Sequence, residues 1–407
     1  MKVAIIGAGA AGCFCAVNLK RMMPSIDITI YERSSRPMAK LAITGGGRCN
    51  LTNTFRDVSD LNQVYPRGSR LMQRLFHRFS PEDTRRWWEE MGVELTTQPD
   101  QCIFPRSQNA MQIVNILLQG IRTSGIHLRI NQRVLSITPH YPTYDIITNE
   151  GKEDYDAIVV TTGGSPRFSG LNFLSELQLP IVSPVPSLFA LNINDQAIRD
   201  LTGIVIEDCR ISIAGTNFQA QSTILLTHFG ISGPAVLRLS SYAARYLAEH
   251  DYHATVTINW MHGENENKVR ECLQSYQGTD KNISNYYPTH LTSRHWKMIL
   301  KRASIDESHR WNTLNRKELN RLVNTLTADS YQTDGRCTYK AEFVTSGGVS
   351  LQAINPKTLA SKSHPGVYFA GEVLDVDAVT GGFNLQAAWT MGYVVAENII
   401  IEHRVVH

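Results

Sequence analysis

The first thirty-odd residues constrain what this chain can fold into more than any other stretch. Val3-Ala4-Ile5-Ile6 is an uninterrupted apolar run, which suits a strand buried on both faces. Gly7-Ala8-Gly9-Ala10-Ala11-Gly12 follows with the spacing of a dinucleotide fingerprint. Its first glycine permits a tight turn, its second lets backbone approach a pyrophosphate, and its third lets helix and strand pack closely. Ala11 to Lys20 has good helix formers, and a helix opening there offers free N–H groups and a positive dipole end to phosphate. Ile28-Thr29-Ile30-Tyr31 is a second β-branched run, ended by Glu32, twenty residues after Gly12. An acid at that distance can accept hydrogen bonds from an adenosine ribose. The glycine pattern alone is a weak signal. Strand before, helix after and acid downstream together read as an adenine-dinucleotide site. The competing reading is a secretory signal, since Val3 to Leu19 carries no charge behind Lys2. Three glycines would weaken its apolar helix, and no small-residue cleavage site follows.

At 407 residues the chain exceeds one ordinary core, so two or three domains are expected. A net charge of +3 is too small for a nucleic-acid footprint, so no nucleic-acid partner is expected. Basic clusters at 67–78 and 85–86 read as solvated faces. The seven cysteines are scattered and odd in number, which suits reduced thiols and a cytoplasmic location. None has zinc spacing, so no metal is expected. No run approaches the roughly 20 apolar residues of a membrane span, so no membrane partner is expected either.

Downstream, Lys40 to Asn53 contains Gly45-Gly46-Gly47-Arg48-Cys49-Asn50. Three glycines between polar side chains make a loop whose backbone can lie against a flat ligand, or an ordinary surface turn. Residues 65–92 are helical in pattern, and Ser80-Pro81-Glu82-Asp83 is a helix start with cap, proline and first-turn acids. Trp87 and Trp88 read as packing residues. Residues 110–123 form another amphipathic helix, and 127–130, 133–137 and 144–148 read as strands. Asp154 to Val160 reads as one buried strand ending in Thr161-Thr162-Gly163-Gly164, either a second nucleotide contact or a tight turn. After Ser183-Pro184-Val185-Pro186 the character changes. Short β-like runs at 188–193, 204–213 and 218–226 suggest a meander or small barrel. Thr227 to Pro234 reads as a loop leading into a helix at 235–247, 254–260 as a strand, and 264–328 as polar and helical. Residues 342–350 read as a strand with a Gly-Gly turn. Gly366 to Glu372 is a buried strand ending in glycine and acid, and Thr380-Gly381-Gly382-Phe383-Asn384-Leu385-Gln386 opens an apolar helix at 387–399. That helix start can place N–H donors against the pyrimidine edge of a flavin.

The whole chain resembles one bacterial flavoprotein family, which includes the bile-acid dehydro-intermediate reductase BaiN and members named aminoacetone oxidases. The likeness rests on Thr44 to Asn53, Thr227 to Pro234, Ser346-Gly347-Gly348-Val349, Ile354 to Thr358, Gly371 to Asp375 and Thr380 to Gln386. It implies an α/β fold: a Rossmann-like FAD-binding domain interrupted by a β-barrel-like insert carrying a helical subdomain. The expected boundaries are 1–186 and 345–407 for the FAD domain and 187–344 for the insert, β-rich at 187–260 and 330–344 and helical at 261–329. The expected FAD contacts begin with Gly7, Gly9, Ala10, Ala11, Gly12, Glu32 and Arg33. They continue through Lys40, Gly46, Gly47, Arg48, Asn50 and Val134 to Thr162, Gly163 and Gly164. The last set is Gly371, Glu372, Gly381, Gly382, Phe383, Asn384 and Leu385.

The expected chemistry is hydride transfer through non-covalent flavin on a small-molecule substrate. His228 is a candidate proton donor, or a structural histidine that caps its loop. Cys49 is a candidate redox thiol, with no second cysteine at relay spacing. Arg48 can neutralise a phosphate or an anionic flavin, or pair within its domain. Only one glycine fingerprint is present, so NADH or NADPH would bind without that motif, or electrons come from elsewhere. A reading from another class also stands: a flavin-binding regulator or scaffold in which FAD is structural and the helical insert holds a partner.

Overall fold

The computed structural model describes residues 1–165, 167–337 and 344–406. The chain divides into two compact units, 1–185 with 344–407 and 186–343.

The first unit opens with β1 (Lys2–Ile6), α1 (Ala10–Met22) and β2 (Asp27–Tyr31). Val3 to Ile5 are fully buried and Ile6 nearly so, as an apolar run flanked by strands on both sides must be. Next come α2 (Ala39–Gly47), β3 (Thr52–Asn53), α3 (Ser69–Phe76), α4 (Pro81–Glu90), β4 (Leu95–Thr97), β5 (Cys102–Pro105), α5 (Ala110–Thr123) and β6 (His127–Arg129). The start of α4 is a capping box: Ser80 accepts from the Asp83 N–H, and the Asp83 carboxylate accepts from the Ser80 N–H. Trp87 and Trp88 are packing residues, set tilted and edge-on in a cluster with Phe14 and Trp389. Then follow β7 (Val134–His140), β8 (Thr143–Thr148), β9 (Lys152–Tyr155), β10 (Ala157–Val160) and β11 (Ile181–Ser187).

One correction arises here. The expected single strand from Asp154 to Val160 is two strands in different sheets. β9 pairs antiparallel with β8 in a three-stranded sheet, whereas β10 pairs parallel with β1. The break falls at Asp156, whose backbone N–H donates to the Lys2 carbonyl and whose carboxylate accepts from the Lys2 N–H.

The second unit contains β12 (Leu191–Ile193), α6 (Gln196–Arg199), β13 (Val205–Ile213), β14 (Gln219–Thr227), β15 (Gly230–Ser232), α7 (Pro234–Tyr242), α8 (Ala244–Glu249), β16 (Thr255–Asn259), α9 (Glu266–Gln277), α10 (Ser293–Arg302), α11 (Arg316–Thr327) and β17 (Asp329–Arg336). Its six strands close into a barrel in the order β12-β15-β14-β13-β16-β17. The alternating burial of β13, with Ile206, Cys209, Ile211 and Ile213 inward, supplies one wall of the core. Thr227 to Pro234 is not one loop. It is the end of β14, a two-residue turn at His228 and Phe229, and β15, which pairs back on β14. Gly230 and Gly233 carry positive φ there, and a Cβ on either would strike backbone at 2.4 Å and 2.8 Å respectively. The expected β character of 338–343 lies outside the described residues.

The chain returns to the first unit through β18 (Val344–Val349), β19 (Val367–Phe369) and α12 (Phe383–Val406). The Ser346-Gly347-Gly348 segment lies within β18 rather than in a turn. Side chains are excluded because Gly347 abuts the Ser183 carbonyl and Gly348 the Val373 carbonyl. The parallel sheet is completed in the order β19-β10-β1-β2-β6, and α12 packs on α1 where a Cβ at Gly392 would meet the Ala11 carbonyl at 2.8 Å. A buried polar chain fixes α12 along its length. Thr52 donates to Gln386 at 2.5 Å, Gln386 donates to Thr84 and Thr390, and Trp389 donates to the Leu51 carbonyl. Each partner is satisfied inside the core, where a bare polar group would cost about 1–3 kcal/mol. No helix among the described residues is long and apolar enough to cross a membrane.

Candidate FAD site

The carboxyl ends of β1, β2, β10 and β19 meet at one edge of the parallel sheet, where ligands of doubly wound folds sit. Gly7 has φ +107°, and a Cβ there would lie 2.6 Å from the Thr161 carbonyl. At Gly12 it would lie 2.1 Å from the Gly7 carbonyl. These two glycines are therefore required by the protein's own packing. Gly9, by contrast, meets nothing nearer than 3.9 Å, leaving its backbone approachable. Glu32 stands just past β2 and accepts from the Ala8 N–H at 3.0 Å and the Ser34 N–H at 2.9 Å. Its carboxylate is thus tied to the fingerprint turn. Val134 opens β7 two residues after the Gln132 N–H donates to the Glu32 carbonyl, so the chain crosses the same end of β2. Arg33 is exposed.

Helix α2 breaks inside itself. Thr44 is extended, and Gly45, Gly46 and Gly47 follow at φ +58°, +70° and +82°. Space above Gly46, Gly47 and Gly163 is open. Arg48 donates to the Gly45 carbonyl at 3.0 Å and lies over the Phe104 ring. Lys40, on α2, pairs with Glu372 at 2.9 Å, and Glu372 also accepts from the Thr345 N–H at 2.7 Å. This clasp leaves no room for a side chain at Gly164, where a Cβ would meet Glu372 at 2.4 Å. Gly371 has φ +81° beside Ala11. Ser346, fully buried one residue from Thr345, has a hydroxyl with no hydrogen-bond partner among the described residues.

The opening of α12 gives Gly382 a place in the protein's own packing. Both have positive φ, but Gly382 excludes a side chain because the Thr52 carbonyl lies 2.4 Å from its would-be Cβ. With the Asn50 amide oriented to satisfy both neighbours, it accepts from the Gly382 N–H at 3.1 Å and donates to the Thr52 carbonyl at 3.1 Å. That N–H is engaged inside the protein, not directed at a ligand. The donors left over are the first-turn N–H groups of Phe383, Asn384 and Leu385, which have no acceptor among the described residues. The side chains there hold structure. Asn384 bonds both backbone groups of Ala378, and the Phe383 carbonyl accepts from Tyr65.

These features fit FAD on the structure's own terms: an approachable glycine turn, an acid at the ribose position, open glycine backbone, unpaired first-turn donors on a 24-residue helix and an orphaned buried hydroxyl. The candidate redox thiol fits less well. Cys49 is fully buried, and burial pushes its thiol up to about 12, so no thiolate forms near neutrality. His228 is exposed on the β14–β15 turn of the other unit, its ring edge-on to Phe229. No group of three or more histidine, cysteine, aspartate or glutamate side chains among the described residues could hold a metal ion. Asn50 is among the expected contacts, whereas Asn53, which donates to the Gly381 carbonyl, is not; only the Asn-Leu-Thr-Asn run after Cys49 hinted at it.

The family model described as HI0933-like protein Rossmann domain matches residues 1–398. The chain is 26% identical over 416 residues to the ribosomal RNA dihydrouridine synthase of Escherichia coli (strain K12), covering 97% of both chains. The protein of the same name from Haemophilus influenzae is 26% identical over 407 residues, again covering 97% of both. The 3-dehydro-bile acid delta(4,6)-reductase of Clostridium scindens is 24% identical over 407 residues and 97% of both chains, in line with the resemblance carried by the motifs. Among solved structures, Escherichia coli quinol fumarate reductase FrdA aligns with a TM-score of 0.51 at 14% identity, over 100% of this chain and 71% of that one. That likeness is one of fold.

Proposed function

Because the chain belongs to the HI0933-like Rossmann family and is an FAD-dependent oxidoreductase, we propose that it saturates a carbon–carbon double bond conjugated with a carbonyl. One observation carries this reading: the three curated relatives are named for the same kind of bond. Dihydrouridine is uridine saturated at the double bond next to a ring carbonyl, and delta(4,6) bonds are conjugated with a 3-oxo group. The relatives differ in substrate but not in that electrophile.

FAD, when bound at the glycine edge, would supply hydride-transfer chemistry toward the β-carbon. The chain's own residues orient, exclude water and move the proton. Gly46 and Gly47 present side-chain-free backbone over which a flat ring can lie. Arg48 commits its Nε to Gly45 and keeps its terminal N–H groups for a carbonyl oxygen that gains negative charge. The α-carbon then needs a proton, taken from a titratable side chain or from water. Cys49 takes no part. The Lys40–Glu372 clasp and the α12 first turn hold the cofactor. Electrons come from NADH or NADPH, bound without a second glycine fingerprint.

The test uses FAD-loaded protein reduced anaerobically with NADH or NADPH and then mixed with a 3-oxo-4-ene steroid or with ribosomal RNA transcribed in vitro. Flavin reoxidation with a product 2 Da heavier supports the reading. Reoxidation by dioxygen alone, with no saturated product from either substrate, overturns it and favours structural flavin. A second reading narrows the substrate to a uridine of ribosomal RNA. It is favoured by the full-length match to two relatives of that name, and a dihydrouridine signal in the RNA arm alone selects it over a small-molecule substrate.

A further inference from the structure

A polar cavity of about 290 Å³ opens in the first unit, beside the α12 opening but outside the glycine edge described above. Its lining includes Asn53 at the end of β3 with Thr54 and Arg56 just after it, Glu82 and Arg85 from α4, Thr97 from β4 and Ile103 from β5. Four segments thus converge on it. The charges are unequal. Glu82 is occupied by Arg85, which donates to both its carboxylate oxygens at 2.6 Å and 3.1 Å. The Arg56 guanidinium has no hydrogen-bond or ion-pair partner among the described residues; only its backbone N–H is used, donating to Thr54. Arg85 also pairs with Glu89 at 3.4 Å, so Arg56 is the lining cation without a carboxylate partner among the described residues and gives the cavity its positive charge. The Thr54 hydroxyl, held by Gln101 at 2.7 Å, and the Asn53 amide add fixed polar groups to the wall.

We propose that this cavity is a subsite for a phosphate group carried by a nucleotide. Arg56 supplies the planar fork that matches phosphate oxygens, with Thr54 and Thr97 as neutral partners and Arg85 held in the wall by Glu82 and Glu89. The volume lies at the lower end of ligand pockets, about 300–1,000 Å³. It admits a phosphate ester with part of its sugar and is too small for a whole dinucleotide. Asn53 ties the subsite to the cofactor edge, since its amide donates to the Gly381 carbonyl at 3.1 Å, immediately before α12. The phosphate-bearing molecule therefore also reaches toward the flavin side, as an electron donor or a nucleic-acid substrate would. The 2′-phosphate of NADPH and the phosphodiester of RNA share this chemistry, and the assignment does not depend on the proposed reduction.

Calorimetric titration of inorganic pyrophosphate into FAD-loaded protein at low ionic strength tests the subsite, because bound FAD occupies the other phosphate position. Removing a charge-assisted contact worth about 1.5–3 kcal/mol should weaken pyrophosphate binding roughly ten- to a hundredfold in Arg56→Ala. Arg56→Lys should recover part of the loss, and Arg70→Ala, an exposed arginine on α3, should bind like the wild type. Two further arms separate the sources. A raised KM for NADPH but not NADH in Arg56→Ala identifies the 2′-phosphate, whereas weakened binding of a single-stranded RNA oligonucleotide identifies the phosphodiester. No pyrophosphate binding, equal binding by Arg56→Ala, or an Arg56-dependent anion that alters neither arm would overturn the proposal.

Discussion

At the scale of single residues, the cofactor edge makes two different demands on its glycines and acids. Glu32, which we assign to the ribose of FAD, is already held by two backbone donors. Glu32→Ala removes charge-assisted hydrogen bonds worth about 1.5–3 kcal/mol. The FAD dissociation constant should therefore rise roughly ten- to a hundredfold, measured by flavin fluorescence on folded protein. Gly382 makes the other demand. A valine there meets the Thr52 carbonyl and displaces the Asn50 contact, so Gly382→Val should push the start of α12 from β3. The expected outcome is lost flavin occupancy together with a lowered melting temperature, because the clash is with the protein itself. A mutant of unchanged stability that merely excludes flavin would show that the ligand, not β3, sets this glycine.

Elements show which parts of the fold were legible beforehand. The capping box of α4 is written in four consecutive residues, so sequence and structure agree. Ser80→Ala should cost about 1 kcal/mol, read as a shift in urea midpoint at unchanged slope. The fingerprint strand, turn and helix were legible for the same reason, since their pattern is local. The split between β9 and β10 was not. Asp154 to Val160 is one apolar-ended run in sequence, and only the pairing of Asp156 with Lys2 decides that the chain changes sheet there. Likewise the two adjacent glycines at 381–382 announced that side chains are unwelcome, but not that the Phe383 ring is the reason at the first and Thr52 with Asn50 at the second. The Arg56 cavity gathers segments that are apart in sequence, and nothing in any one of them foretells it.

The whole molecule carries a built-in acid sensitivity in its second unit. His295 is fully buried against Trp260 with neither ring nitrogen hydrogen-bonded among the described residues. Burial, with the nearby His290 charge, pulls it from the ordinary 6.5 down to about 3. Burial also lowers His290, which stands ring to ring with His262. His295 is neutral in the fold, whereas in an unfolded chain it binds a proton below about 6.5. Its contribution to stability is thus complete above that pH and lost as pH falls toward 3, by up to about 1.4 kcal/mol per pH unit, and the lowered His290 acts in the same direction. His295→Phe should flatten this loss. Urea midpoints at pH 7 and pH 4.5 should differ less for the variant than for the wild type, and an equal difference would show that other groups dominate.

The parallel sheet draws β1 and β2 from the start of the chain and β19 from near its end, with α12 packed on α1. During synthesis the fingerprint turn therefore leaves the ribosome long before the strand and helix that complete its site. At about 5–20 residues per second, the nascent amino-terminal half waits tens of seconds with one sheet edge unpaired, while the intervening barrel has time to close first. On this topology cofactor loading is expected only after β19 and α12 have left the ribosome. A nascent chain stalled before Phe383 should hold no flavin, however well its first thirty residues are formed.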